Sequence, residues 1–318
     1  MRVFITGIAG FVGSSLAQHL NKKGYTVRGC DNLKFGDASR LKDIVWDNRG
    51  METYTESELS VYDVVVHCAC DNIIYAINYP VETFNTNALK SISFLNKYRG
   101  KVIYTSTASV YGNAMCPANE LASLNTYNAY DTSKLITEKY LVNRGNYTTL
   151  RLSNVYGANQ KNSHYAGVVG KLCDMAKSNI PLTVYGTGEQ TRDFTYIDDV
   201  VNAIEISVNL PPTNDVFNIS TMEETSVKRI VDIISTYIPN VSLEYVEGRS
   251  IDGITRRCLD NTKAKKILEW SPSVSIVEGI ESILYDNYNK KRECSRLQQH
   301  FTLAHKNLPA FRRESMSM

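Results

Sequence analysis

Short runs of Val and Ile, separated by longer amphipathic stretches, constrain the fold of this chain more than any other feature of its sequence. A strand that is buried on both faces is apolar throughout, so these runs predict a parallel sheet covered by helices on both sides. The alternation of strand and helix patterns predicts a doubly wound α/β fold. Strands are predicted at 3–5, 25–30, 63–67, 101–105 and 148–152, and helices near 11–20, 81–98 and 129–143.

The pattern changes after about residue 157, where the elements become mixed and the polar connections lengthen. We therefore predict a larger domain at 1–160 that is joined by 194–220, a smaller mixed α/β domain at 161–193 and 221–290, and a basic C-terminal tail at 291–318. Further helices are predicted near 165–177, 198–208, 226–236 and 275–288, and short strands near 182–185, 216–219 and 242–246.

The charge of the chain is nearly balanced, with 35 basic and 33 acidic residues and a formal net charge of +2. A surface that coats nucleic acid needs a strong basic excess, so the sequence predicts no nucleic-acid partner. From Lys290 to Met318 there are seven basic and two acidic residues, so the rest of the chain is mildly acidic. We interpret this tail as a solvated extension, with a contact to a partner as the alternative.

No run of 18 apolar residues occurs, which predicts a chain that does not span a membrane. The N-terminus leads directly into a strand pattern without a charged leader and a cleavage site, so we expect a cytoplasmic protein. The seven cysteines are scattered, and nothing near Cys68 and Cys70 completes a tetrahedral metal site. We therefore expect buried free thiols and no metal.

A glycine-rich turn with Gly7, Gly10 and Gly13 follows the first strand and opens the first helix. Such a turn lets backbone N–H groups approach a pyrophosphate, which the helix N-terminus stabilises. Asp31 stands at the end of the second strand, where its carboxylate can bind an adenosine ribose and would repel a 2′-phosphate. The sequence therefore predicts a Rossmann-type domain that binds NAD; the alternative is a tight turn with an incidental surface aspartate.

Tyr130 and Lys134 lie four residues apart, on one face of a predicted helix. Such a pair is common by chance, but this one follows a strand with the hydroxyl-rich end Thr105–Thr107. A lysine and an oxidised nicotinamide beside the phenol would stabilise its phenolate and lower its pKa. The phenolate could then take a proton from a sugar hydroxyl while hydride leaves the carbon for NAD.

From Met1 to about Tyr285, the chain resembles the extended short-chain dehydrogenases/reductases, specifically the NAD-dependent nucleotide-sugar epimerases and dehydratases. The second domain then corresponds to the substrate domain of that family. The segments that carry the resemblance are Thr6–Ser14, Asp31–Leu33, His67–Cys70, Asn87, Thr107–Gly112, Leu150–Gly157, Tyr185–Phe194, Asn218–Ser220, Arg249–Asp252 and Asp260–Ala264.

The resemblance implies three groups of site residues. The catalytic group is Thr107, Tyr130 and Lys134. The substrate group is Thr107, Asn154, Arg192 and Arg249, in which the arginines would grip a diphosphate; a surface ion pair is the alternative for each. The cofactor group is Gly7, Gly10, Phe11, Val12, Gly13, Asp31, Asn32, Ala69, Asn87, Tyr130 and Lys134.

The residues after the catalytic threonine distinguish reactions within the family. The 4,6-dehydratases carry an Asp-Glu pair there and the UDP-glucuronate decarboxylases a glutamate, whereas this chain has Ala108 and Ser109. It therefore resembles the 4-epimerases, which implies a UDP-glucose-type 4-epimerase acting on a UDP-hexose. The alternatives are a dehydratase, decarboxylase, 2-epimerase or reductase of the same family, or a non-catalytic scaffold that binds NAD.

Two further expectations follow from the resemblance. Arg256, Arg257 or Cys258 occupies the position that sets the width of the sugar pocket, where an arginine would narrow the pocket against an N-acetyl group. The helices near 81–98 and 129–143 match those through which family members form a two-fold dimer, which implies a homodimer.

Overall fold

A seven-stranded sheet, in which each strand is parallel to its neighbours, forms the centre of the molecule. The computed structural model describes residues 1–158, 160, 167–248 and 255–285. Helices pack on the sheet, so the predicted doubly wound, Rossmann-type α/β fold is confirmed. The strands are β1 (Arg2–Thr6), β2 (Thr26–Asp31), β3 (Asp47–Asn48), β4 (Val64–His67), β5 (Lys101–Thr107), β6 (Tyr147–Leu152), β7 (Asn154–Tyr156), β8 (Leu182–Tyr185), β9 (Thr191–Arg192), β10 (Phe194–Tyr196), β11 (Asp215–Ile219), β12 (Thr225–Ser226) and β13 (Leu243–Val246).

The order of strands in the large sheet is β11-β6-β5-β4-β1-β2-β3, and three two-stranded sheets, β7 with β10, β8 with β13 and β9 with β12, lie outside it. None of the helices in the described part of the chain combines the length and the apolar character that a membrane span needs. The α-helices are α1 (Phe11–Lys22), α2 (Glu56–Leu59), α3 (Ile73–Asn78), α4 (Pro80–Phe84), α5 (Ser91–Asn96), α6 (Ala129–Arg144), α7 (Val168–Lys177), α8 (Ile197–Asn209) and α9 (Val227–Tyr237), followed by helical residues 276–285.

Most predicted elements appear within one or two residues of their expected bounds, because the apolar runs that predicted them are buried in the core. β11 pairs with β6, so residues from late in the chain complete the sheet. The division into two domains remains a prediction, and the tail at 291–318 lies outside the described residues.

The helix predicted near 81–98 is not one regular helix. The chain forms α3, breaks at Tyr79, and starts α4 with Pro80 as its first residue, which suits a ring that fixes φ and has no N–H to donate. Between α4 and α5, Asn85–Lys90 form a π-helical stretch. The periodicity of the sequence predicted the helical segment but not these interruptions.

Lys101, at the start of β5, joins the sheet to the end of α8. Its ammonium donates hydrogen bonds to the carbonyl oxygens of Ser207 (2.5 Å), Val208 (2.9 Å) and Leu210. The last carbonyls of a helix have no partner within the helix, and a cation near them also interacts favourably with the helix dipole. Lys101 therefore satisfies the C-terminal end of α8 and fixes it against the sheet.

We predict that Lys101→Met lowers the free energy of unfolding by about 2 kcal/mol, because a charged donor to partly buried carbonyls is lost. Thermal unfolding followed by circular dichroism measures the effect. Lys266→Met, at an exposed position, is the control and should leave the Tm unchanged. Equal unfolding temperatures for the two variants would contradict the capping role of Lys101.

Candidate active site

The glycine turn after β1 has a geometry that only glycine fits. Gly7 has a φ of +67°, and a Cβ atom there would lie 2.7 Å from the backbone of Ala69. A Cβ at Gly13 would lie 2.1 Å from the carbonyl oxygen of Gly7. Gly10 is the N-cap of α1, and no side chain caps the helix there. The turn is thus a close-packed cradle whose N–H groups suit the pyrophosphate of a dinucleotide.

Asp31 ends β2 next to this turn, and its carboxylate binds backbone N–H groups. One oxygen accepts from Ala9 (3.0 Å) and the other from Leu33 (2.7 Å). Burial raises the pKa of Asp31, and these two hydrogen bonds act in the opposite direction. Asn32, the next predicted cofactor residue, accepts a hydrogen bond from the N–H of Lys34 and is exposed. The Asp31 carboxylate therefore fixes the turn and lies where a ribose is expected.

A buried hydrogen-bond network supports the end of β4. The Nδ1 atom of His67 lies 2.6 Å from the Thr6 hydroxyl, and its Nε2 atom lies 2.9 Å from the Ser91 hydroxyl. Thr6 also accepts a hydrogen bond from the N–H of Ala69 (3.3 Å). Burial, and then the charge of Lys134, lower the pKa of His67 to about 3. The network therefore holds a neutral imidazole and fixes Ala69 beside the glycine turn.

Asn87 is predicted to contact the cofactor, but both the oxygen and the nitrogen of its side-chain amide form hydrogen bonds with the backbone of Asp71. Its side-chain oxygen accepts from the N–H of Asp71 (2.7 Å), and its nitrogen donates to the carbonyl of Asp71 (2.9 Å). The Asp71 carboxylate in turn pairs with Lys34 at 2.9 Å. These contacts give Asn87 the role of positioning the loop after β4.

A cleft of about 1180 Å³ opens above the carboxyl ends of these strands, where ligands bind in open α/β sheets. Seven of the predicted site residues line it. The glycines, Asp31, Asn32, Ala69 and Asn87 do not, and Arg249 lies outside the described residues. The seven are Phe11, Val12, Thr107, Tyr130, Lys134, Asn154 and Arg192.

Thr107, Tyr130 and Lys134 meet on the wall formed by β5 and α6. The ammonium of Lys134 is buried, donates to the carbonyl of Thr105 at 2.5 Å and lies 4.4 Å from the ring centre of Tyr104. Burial lowers the pKa of Lys134 and raises that of Tyr130, and Thr107 and Arg257 lower the pKa of Tyr130. Without a bound cation the phenol thus stays protonated; a cationic nicotinamide beside it would favour the phenolate.

Asn154 and Arg192 line the cleft from β7 and β9, two short strands that lie outside the large sheet. β7 runs parallel to β10, and the N–H of Asn154 donates to the carbonyl of Asp193 (2.9 Å). Arg192 lies in β9 and donates to the carbonyl of Thr191 (2.8 Å). The structure thus brings the amide and the guanidinium to one cleft with Tyr130.

A chain of buried charged and polar groups fixes α6 on the sheet behind this wall. Glu138, one turn after Lys134, forms an ion pair with Arg151 of β6 at 2.7 Å and accepts a hydrogen bond from Ser106. Arg151 donates to the hydroxyl of Tyr111 (2.8 Å), which donates to Asn218 of β11 (2.7 Å). Each of these side chains has hydrogen-bond partners, which offset the free-energy cost of burying them. The network therefore holds α6 rigidly on the sheet.

The cleft also contains residues to which the sequence assigned no role. Asp131, directly after Tyr130, is buried beside Ser109. The segment after β5 has no acidic residue at Ala108 or Ser109, but α6 places the Asp131 carboxylate next to it. The sequence spacing could have indicated Asp131 as a site residue, because it lies three residues before Lys134 and therefore on the same face of the helix. Cys68 and Cys70 line the cleft too and are only partly buried, contrary to the expectation of buried thiols.

Of the three candidates for the residue that sets the pocket width, Arg257 is the one that lines the cleft. Arg256 points outward, with 64% of its side chain exposed, and pairs with Glu224. Cys258 is buried, with its sulfur 3.7 Å from the Asp193 carboxylate. No local pattern in the sequence distinguishes these three residues.

The fold and this cleft define a Rossmann-type α/β protein with a glycine turn suited to a dinucleotide and a ligand cleft beside it. The model of the NAD-dependent epimerase/dehydratase family matches residues 3–220, and the chain belongs to this family. It is 31% identical to a predicted UDP-glucose 4-epimerase of Methanocaldococcus jannaschii over 91% of this chain and 99% of that protein. It is 29% identical to a UDP-N-acetyl-α-D-glucosaminuronate decarboxylase of Bacillus cytotoxicus, covering 89% of this chain and 96% of that one.

One similar solved structure is also that of an epimerase. The UDP-glucose 4-epimerase of Thermotoga maritima, determined with UDP-glucose, superposes with a TM-score of 0.85. The two chains are 29% identical, and the match covers 92% of this chain and 99% of the other. The relatives therefore include both epimerases and a decarboxylase.

We predict that the buried His67 makes stability fall as the pH falls below about 6.5. The pKa of His67 is lowered on folding, so the unfolded chain binds the extra proton, and about 2 kcal/mol is lost between pH 7 and pH 5. Urea unfolding at several pH values measures this loss. His67→Asn should be less stable at pH 7 but show a flatter dependence; a parallel dependence for both proteins would contradict the assignment.

Proposed function

We propose that this protein is a nucleotide-sugar 4-epimerase of the UDP-glucose type. The observation that carries the proposal is the meeting of Thr107, Tyr130 and Lys134 on one wall of a cleft that Arg192 and Asn154 also line. The strand end after Thr107 supports it, because Ala108 and Ser109 provide no acid for elimination or decarboxylation. Bound NAD would supply the acceptor, and later the donor, of the hydride at C4.

In this proposal, Tyr130 takes the proton of the C4 hydroxyl. It returns the proton to the C4 oxygen after the keto-sugar has rotated to present its other face. Thr107 donates a hydrogen bond to that oxygen and keeps it in reach of the phenol. Lys134 donates a hydrogen bond to the carbonyl of Thr105, which fixes α6 against β5. Its positive charge favours the phenolate form of Tyr130. Arg192 binds the diphosphate through paired hydrogen bonds, together with Asn154. The glycine turn and Asp31 hold the dinucleotide.

A second candidate is a dehydratase or decarboxylase of the family. Asp131 favours it, because its buried carboxylate lies beside Ser109, near the position at which those enzymes carry an acid. Its place on α6 rather than on the strand end keeps it second. The product of the reaction separates the two candidates.

We predict that the protein supplied with NAD converts UDP-glucose into UDP-galactose, as followed by NMR across a panel of nucleotide sugars. Tyr130→Phe should lower kcat by about 100-fold or more, because the proton of the hydroxyl then has no acceptor. Tyr140→Phe, on the same helix but outside the cleft, is the matched control and should retain activity. Accumulation of a keto-deoxysugar or of a pentose would instead support the second candidate.

We further propose that the enzyme is a cytoplasmic homodimer that associates through α4, α5, the π-helical stretch between them, and α6. Apolar side chains on these elements support this, since Val81 is 76%, Leu89 66% and Val142 54% exposed. An exposed apolar patch on a folded protein marks an interaction site. An isologous two-fold interface would bury the same patch on both copies.

Leu89→Glu should convert the dimer into a monomer, because a charge would be buried at the interface. Light scattering coupled to size exclusion measures the mass. Val45→Glu, at an apolar residue elsewhere that is 57% exposed, should remain dimeric. A monomeric wild-type protein would refute the dimer.

A further inference from the structure

Side chains join the two chain segments that flank the glycine turn. The strand order β4-β1-β2 places the turn, which follows β1, between the segment after β4 and the segment after β2. Because these strands are parallel, all three segments leave the sheet at the same edge. Lys34 from the segment after β2 forms an ion pair with Asp71 from the segment after β4. The two outer segments are therefore connected beside the turn that suits a pyrophosphate.

Lys34 makes two kinds of contact with the segment after β4. Its Nζ atom lies 2.9 Å from the Asp71 carboxylate and 3.8 Å from the ring centre of Tyr75 in α3. A cation over an aromatic face is attracted by the negative charge of that face. The ring of Phe35 packs against Tyr75 in an edge-on arrangement, with 5.2 Å between the ring centres. We call Lys34, Phe35, Asp71 and Tyr75 the clasp.

Both ends of the clasp are anchored to the fold. The amide of Asn87 binds the N–H and the carbonyl of Asp71, whose side chain is only 3% exposed. At the other end, the N–H of Asp37 donates to the carbonyl of Ala9 in the glycine turn at 2.9 Å. Opening the clasp removes the positive partner of a buried carboxylate, which is costly. The closed state is therefore favoured.

The clasp lies between the two ends of the expected dinucleotide site. Asn72, directly after Asp71, lines the cleft that Tyr130 also lines. Asp31, three residues before Lys34, does not line it. A dinucleotide with its nicotinamide beside Tyr130 and its ribose at Asp31 therefore has to pass the clasp, which must open to admit or release it.

We infer that the clasp closes over bound NAD and sets the rate at which the protein releases it, with Lys34 and Asp71 as positioning residues. The inference rests on the proposed function, because a 4-epimerase returns the hydride to the sugar from which it was taken. The protein then has to retain the cofactor between the two transfers. A dehydrogenase, in contrast, exchanges its cofactor in every turnover.

Release of radiolabelled NAD from the loaded protein, measured by rapid desalting after addition of excess unlabelled NAD, tests the inference without turnover. Lys34→Gln should release the label at least about 10-fold faster than the wild type, because a charge-assisted hydrogen bond no longer opposes opening. Lys34→Arg keeps the charge and can stack on an aromatic ring, so it should release the label as slowly as the wild type.

Lys263→Gln is the matched control. Lys263 pairs with Asp215 at 2.6 Å and lies 5.1 Å from the ring centre of Phe217, so it has the same two kinds of contact as Lys34. Asp215 and Phe217 belong to β11, at the edge of the sheet away from β2. The variant should therefore release NAD at the rate of the wild type.

Asp71→Asn separates a specific contact from a general loosening of the fold. It should also speed the release of NAD, and the double variant with Lys34→Gln should be no faster than the faster single variant, because both remove the same ion pair. Effects that multiply would contradict the inference. Binding of UDP, measured by calorimetry with NAD in excess, should stay unchanged, since Asn154 and Arg192 lie on strands outside the large sheet.

The clasp and the proposed function fail in distinguishable ways. If Lys34→Gln and the wild type release NAD at the same rate, the clasp is wrong and the proposed 4-epimerase stands. If Lys34→Gln releases NAD faster but the wild type forms a keto-sugar and reduces NAD stoichiometrically, the clasp stands and the proposed 4-epimerase is wrong. If the wild type binds no NAD, both are wrong.

Discussion

The buried ion pair between Glu138 and Arg151 is the contact on which the geometry of the cleft depends. It joins α6, which carries the catalytic phenol and ammonium, to β6, and a continuous run of hydrogen bonds extends it through Tyr111 to Asn218. A buried pair of charges contributes little net stability when it replaces well-packed apolar groups, but losing one partner is severe. Its value here is therefore positional. Glu138 also accepts a hydrogen bond from Ser106 of β5, so these contacts fix α6, which carries Tyr130, against the strand that ends at Thr107.

Local patterns in the sequence were sufficient to predict the fold and the residues on one wall of the cleft. The doubly wound sheet follows from apolar runs that are buried on both faces, and the meeting of Tyr130 with Lys134 follows from the helical repeat. Thr107 was implied by the resemblance to the family, and its place at the end of β5 fits the rule that strand ends in such sheets face the cleft. The close packing of Gly7 on Ala69, in contrast, joins the loops that follow two different strands, and only the glycine motif indicated it.

The rest of the site depends on contacts between distant segments. Arg256 and Arg257 are identical in type and adjacent in sequence, yet one pairs with Glu224 at the surface and the other enters the cleft. Which of them turns inward depends on the backbone pairing of this segment with β9 and Asp193, which no periodicity encodes. For the same reason, Ala108 and Ser109 suggested a cleft without an acid, although Asp131 brings one from α6.

The place of β11 has a consequence for how the molecule is made. This edge strand is built from Asp215–Ile219 and pairs with β6, which lies far earlier in the chain. During synthesis from the N-terminus, β6 therefore remains an open edge until about two thirds of the chain has emerged, and unpaired edges invite association with other chains. Asn218, which completes the hydrogen bonds of Tyr111, arrives with the same strand. Closing the sheet and fixing the wall of the cleft are thus a single late event in folding.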